Sequence, residues 1–180
     1  MSALLQQTRS LIKALSLILL CLGSSLSHAN WRAQIPNIEV IGQGDLTFLG
    51  FRVYTARLLG TSSTFSSERP FALQLTYHRS ISRDDLVEAS LSLMSRQQGK
   101  TPTPQQLDNW QTQMQQAFVD VEPGQQIIGV FLPGKGCKFY VGDQLRYEIA
   151  DPVFAEAFFA IWLAPDTTEP ELREQLLGKS

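Results

Sequence analysis

A chain of 180 residues, 43% hydrophobic and 18% charged, can bury one sizeable core. Its net charge of −2, with no basic stripe and no run of like charge, argues against nucleic acid as a partner. Two cysteines, Cys21 and Cys137, and two histidines, His28 and His78, are too few for a disulfide framework and leave little from which to build a zinc or copper centre.

The first segment, 1–29, reads as a secretory signal. Arg9 and Lys13 precede an apolar run over 14–22, and Ser27-His28-Ala29 offers a small-x-small cleavage site before Asn30. An uncleaved anchor is the alternative, but the run is shorter than the ~20 residues a spanning helix needs. Cys21 would suit a lipoprotein if a small residue preceded it, and Leu20 stands there instead. Cleavage removes Arg9 and Lys13 but no acid, which moves the formal charge from −2 to −4. It also removes Cys21 and His28, so no internal disulfide and no metal is expected in the exported domain, 30–180, and no stable membrane span remains. A Cys–His nucleophilic pair would require Cys137 and His78 to meet from separate strands.

Residues 31–36 form an entry segment, and 37–41 alternate as a first strand. Gly42-Gln43-Gly44-Asp45 supplies hairpin-turn chemistry, and 46–59 follows as one long strand. One parity of that strand carries Leu46, Phe48, Tyr54 and Leu58, the other Leu49, Phe51, Val53 and Leu59, so both faces are substantially apolar, as in a strand covered on both sides. The stretch 60–70 is a polar loop. Over 71–77, Phe71, Leu73, Leu75 and Tyr77 fall on one side of a third strand.

Ser82 and Asp85 resemble a capping box, and Leu86, Val87, Leu91, Leu93 and Met94 carry the helix it begins. Thr103 and Pro104 open a second helix, in which Leu107, Trp110, Met114, Ala117 and Phe118 recur at steps of three and four. Its Gln-rich opposite face is a solvated surface. After Pro123-Gly124, the runs 126–132, 136–141 and 144–149 form a meander joined by Pro133-Gly134-Lys135 and Gly142-Asp143. The PGKG turn lacks the spacing of a phosphate loop and leads into a strand, and no cofactor is expected.

The stretch DPVFAEAFFAIWL over 151–163 is the most apolar helix in the chain. Asp151 caps it, Pro152 opens it, and Glu156 is its only ionisable residue thereafter. Such a helix must be covered on most sides. The plain reading is a core helix; the sharper one has Phe154, Phe158 or Trp162 also walling an apolar ligand cleft. A last helix is announced by Thr168 and Glu171, buries Leu172 and Leu176, and stops at Gly178. Three strands, two helices, a three-stranded meander and two helices make an α+β fold, an antiparallel open-faced sheet with helices layered on one face.

The run over 129–178, with its PGKG hairpin, its ADPVFA helix start and its FFAIWL helix end, resembles the C-terminal half of bacterial chalcone isomerase-like proteins. GQGDLTFLGFRVYTARLL over 42–59 resembles that family's long central strand. The resemblance implies an open-faced sheet with a helical layer and a ligand cleft between them. Chalcone isomerases need a cation for the developing oxyanion and hydroxyls to place water and ketone. The resemblance puts Leu49 where such a hydroxyl stands and Asn37 where the cation stands. The expectation is therefore an exported domain that keeps the fold without that reaction and holds a small apolar or amphipathic molecule, fatty-acid-like, near Asn37, Leu49, Phe51 and Tyr77. The alternative is an isomerase or intramolecular lyase for a phenolic or enone compound, with a rebuilt polar site in which Arg52, Arg79 or Arg96 supplies the cation.

Overall fold

Six strands pair in sequence order, each antiparallel to the next: β1 Glu39–Phe48, β2 Phe51–Gly60, β3 Phe71–Tyr77, β4 Gln126–Leu132, β5 Gly136–Val141 and β6 Gln144–Ile149. The computed structural model describes residues 30–97 and 101–179, so the segment expected to be a secretory signal, 1–29, lies outside the described residues. Among those residues four α-helices, α1 Arg83–Ser95, α2 Pro104–Ala117, α3 Pro152–Leu163 and α4 Pro170–Leu176, follow the expected α+β order.

The first hairpin departs from its sequence reading. Gly42-Gln43-Gly44-Asp45 lies inside β1, and the turn is Leu49-Gly50, with Phe48 opposite Phe51. The two glycines serve close packing. A Cβ on Gly42 would sit 2.1 Å from the carbonyl oxygen of Gln175, so only glycine lets β1 run beneath the end of α4. Leu49 and Gly50 both have positive φ, 49° and 79°, as a two-residue hairpin loop of type I′ requires. The long strand read over 46–59 is thus the end of one strand, a turn and most of another.

The helices begin where their side chains supply acceptors. Ser82 Oγ accepts the N–H of Asp85, and Thr103 and Gln106 form a reciprocal capping box. Asp151 caps α3 through Oδ1, which accepts from the N–H groups of Val153 and Phe154 at 2.9 and 3.1 Å. Its Oδ2 accepts from the indole N–H of Trp110 at 3.1 Å, tying α2 to the start of α3. The start of α4 falls later than its sequence signal: Glu169 is the N-cap, without a side-chain cap bond, and Pro170 holds the first turn.

The helices lie on one face of the sheet, and α3 is the centre of that layer. Phe154, Phe158 and Phe159 are buried, and Phe159 rests on the sheet at Gly129, where a Cβ would come within 2.9 Å of its ring. Phe158 meets Phe139 of β5 edge to face at 5.1 Å. Each such ring contributes about 1.5–3 kcal/mol of burial free energy. The opposite sheet face has its own small cluster, in which Trp31 and Ile35 from a 3-10 helix at Trp31–Gln34 and its C-cap cover Leu59, Ala72, Ile128, Val130 and Tyr140. No helix among the described residues is long and apolar enough to cross a membrane.

Candidate functional site

Between α1, α3 and the sheet lies a cavity of about 600 Å³, a volume in the range of small-molecule sites. Its floor is Leu75, Tyr77 and Ile127 of β3 and β4. One wall is Leu86 and Leu93 of α1, which stay half-buried because they face this space; the other is Phe158, Ile161 and Trp162 of α3. Leu46, Phe48 and Val53 of the first hairpin close one end.

The hairpin reaches the cavity through a bulge. Leu46 pairs with Tyr54 and Thr47 with Arg52, so Val53 is an extra residue in β2 and the usual alternation of faces is broken there. Val53 and Tyr54, although consecutive, both line the cavity.

Two phenols, Tyr54 and Tyr77, are among its polar lining residues, with Thr47, Asp85, Ser90 and Glu169. Tyr54 lies directly opposite Tyr77 across β2 and β3, their rings 5.9 Å apart and edge to face. The Tyr54 hydroxyl accepts the indole N–H of Trp162 at 2.9 Å, which leaves its own proton free to donate. The Tyr77 hydroxyl has no hydrogen-bond partner among the described residues, and the residue is 3% exposed. Burial pushes both phenols well above the ordinary value of about 10. The Trp162 hydrogen bond opposes that rise at Tyr54 and the Glu169 carboxylate adds to it, while Tyr54 adds to it at Tyr77. Both therefore keep their protons at neutral pH and are available as hydrogen-bond donors.

Among the described residues, the ionisable side chains on the lining besides these phenols are Asp85 and Glu169, with no Lys, Arg or His. Asp85 accepts the Ser82 hydroxyl at 2.6 Å. The arginines that could have rebuilt a catalytic cation lie elsewhere. Arg52 is exposed and 3.6 Å from Asp45, Arg79 lies over the ring of Phe51, and Arg96 is at the C-terminal end of α1.

Of the four residues expected around a ligand, the structure brings only Tyr77 to the cavity. Asn37 precedes β1 with φ 52°, a left-handed conformation that asparagine tolerates. Leu49 sits at the hairpin tip, 81% exposed, and Phe51 beside it is 63% exposed. The expected face follows the parity of an unbroken strand, and the turn and bulge move that parity. Tyr54 is the residue that sequence reasoning misses; it stands opposite Tyr77 in the pairing of β2 with β3.

Of the three aromatic candidates on α3, Phe158 and Trp162 line the cavity, together with Phe118 at the end of α2, whereas Phe154 packs on Trp110 in the core. Cys137 is buried in β5, where burial first, then the Asp151 and Glu148 carboxylates, push its thiol far up. His78 bonds Thr55 through Nε2 at 2.8 Å. No group of three or more metal-ligating side chains occurs among the described residues.

Residues 50–178 match the sequence model of a family described as chalcone isomerase-like. Over 170 residues the chain is 28% identical to an uncharacterized protein of Haemophilus influenzae, covering 94% of this chain and 79% of that one. Among solved structures it is similar to a fatty-acid binding protein of Arabidopsis thaliana, with a TM-score of 0.60 and 10% identity, over 78% of this chain and 87% of that one. At that identity the likeness is one of fold.

Proposed function

The chain belongs to the chalcone isomerase-like family, and from that premise we propose that it is an exported, non-catalytic binding protein that holds one apolar or amphipathic molecule between sheet and helices. The observation that carries this reading is the cavity: about 600 Å³, walled by aliphatic and aromatic side chains, with two phenols and, among the described residues, no cation on its lining. The fold shared with a fatty-acid binding protein supports a ligand with a fatty-acid-like chain. The signal-like segment supports a periplasmic or secreted location.

The polar groups favour a particular head. A ring closure through an oxyanion needs a fixed positive charge, and the described residues of this lining offer none. An ionised carboxylate would meet Asp85 and Glu169 without a compensating cation, at a cost that burial makes larger. The hydroxyls of Tyr54 and Tyr77 instead suit an uncharged acceptor such as an alcohol, carbonyl or ester oxygen. The same pair of hydroxyls is the one feature that favours the alternative, an isomerase or intramolecular lyase for a phenolic or enone compound.

The test is native mass spectrometry of the purified protein, followed by titration with hexadecanol and with palmitate at neutral pH while tryptophan emission is recorded. Trp162 lies on the cavity wall, so occupancy shifts its emission. Tighter binding of the alcohol is expected. Turnover of a chalcone, with neither chain compound bound, would replace this reading by the enzymatic one.

A further inference from the structure

We propose that the tip of the β1–β2 hairpin inserts into a lipid bilayer, placing the end of the cavity against the membrane with which its ligand is exchanged. The proposal rests on the cavity reading above but on different atoms. Phe48, Leu49 and Phe51 surround one two-residue turn and are 64%, 81% and 63% exposed. Clustered apolar exposure of this kind marks an interaction site in a folded protein. The backbone adds an independent observation. Leu49 has φ 49°, a region that suits Asn, Asp or Gly and is strained for leucine. At 81% exposure, the side chain gains little packing within the chain to offset that strain. A strained, solvent-facing leucine is accounted for by something outside the folded chain.

Three features identify the partner as a bilayer. The tip is continuous with the cavity, because Leu46, Thr47, Phe48 and Val53 of the same hairpin line its end. Two exposed cations flank the apolar tip: Arg79, whose guanidinium lies 5.4 Å over the Phe51 ring, and Arg52, which also lies 3.6 Å from Asp45. Arginines around an apolar wedge fit the phosphate layer above the acyl chains. The patch is also too small for a stable dimer. Three such side chains offer roughly 400 Å², about half of the ~800 Å² per partner of a standard interface.

The experiment is cosedimentation of the full chain, as purified, with phosphatidylethanolamine–phosphatidylglycerol vesicles, comparing wild type with Leu49→Asn. Asparagine suits the turn, so the variant should melt at or above wild type and bind hexadecanol unchanged in vesicle-free buffer. Its vesicle affinity should fall at least fivefold, and Leu49→Asn/Phe51→Ser should abolish sedimentation. Wild type remaining in the supernatant, equal binding by both proteins, or a wild-type dimer that Leu49→Asn converts to monomer would each overturn membrane docking. Retained hexadecanol binding in those cases would leave the cavity reading standing, whereas its loss in wild type would remove that reading itself.

Discussion

Trp162 on α3 and Tyr54 on β2, 108 positions apart in sequence, are joined by an indole-to-hydroxyl hydrogen bond of 2.9 Å on the wall of the cavity. That bond distinguishes the two phenols, whose side chains otherwise look alike. Tyr54→Phe removes the acceptor of a largely buried N–H and should cost about 1–2 kcal/mol of stability. Tyr77→Phe removes a hydroxyl with no protein partner among the described residues and should leave the melting temperature unchanged or slightly raised. If both hydroxyls face a ligand oxygen, each variant loses roughly tenfold in hexadecanol affinity, about 1.4 kcal/mol. A Tyr77→Phe protein that binds as tightly as wild type would remove that phenol from the site.

The raised phenols also set a pH dependence. In the unfolded chain a tyrosine ionises near pH 10, whereas in the native state Tyr54 and Tyr77 hold their protons to higher pH. Stability from each is fully present below about pH 10 and is lost as pH rises above it, because the unfolded state then gives up protons that the native state retains. Urea midpoints measured from about pH 7 to about pH 11 should fall above pH 10. Tyr77→Phe should flatten that fall, and an identical slope in the variant would show that Tyr77 is not the group responsible.

The glycines of β1 give a graded test of close packing. An alanine Cβ at Gly42 meets the backbone of Gln175 and Leu176 at 2.1–2.7 Å, whereas at Gly44 the nearest atoms are the Gln175 side-chain amide oxygen at 2.1 Å and the Leu172 side chain at 2.8 Å. Side-chain ends can turn away and a carbonyl cannot. Gly42→Ala should therefore push α4 from the sheet and cost about 2–3 kcal/mol, and Gly44→Ala less than about 1.5. Equal melting temperatures for the two variants would contradict the close docking of α4 on β1.

The same glycines explain where the fold is legible in the sequence and where it is not. Alternation and helical spacing locate β3 to β6 and all four helices, because Phe71–Tyr77 and Pro152–Leu163 carry patterns that burial enforces. The resemblance of 42–59 and 129–178 to the chalcone isomerase-like family points to the same fold. The first hairpin is illegible because its turn carries leucine at the position a type I′ turn gives to Asn or Asp, while two glycines stand in the strand for reasons set by α4, far along the chain. From that one misplacement the cavity-facing parity follows wrongly, bringing Leu49 and Phe51 forward in place of Tyr54. Local pattern reports local constraint. A glycine kept open for a distant helix looks, in sequence, like a turn.

Asp151 offers the sharpest separation of capping from tertiary tying, since one carboxylate does both with different oxygens. Oδ1 accepts the first free N–H groups of α3 and Oδ2 accepts the Trp110 indole. Asp151→Asn keeps an oxygen for the cap but replaces the second acceptor with a donor, so Trp110, 2% exposed, loses its partner. A cost of about 1–2 kcal/mol is expected. Asp151→Ala loses the cap as well and should cost about 2–4 kcal/mol in all. Pairing each substitution with Trp110→Phe completes a double-mutant cycle. The cost of Asp151→Asn should nearly vanish in that background, while most of the capping cost of Asp151→Ala should persist, and full additivity in both cycles would show that the indole contact carries no coupling.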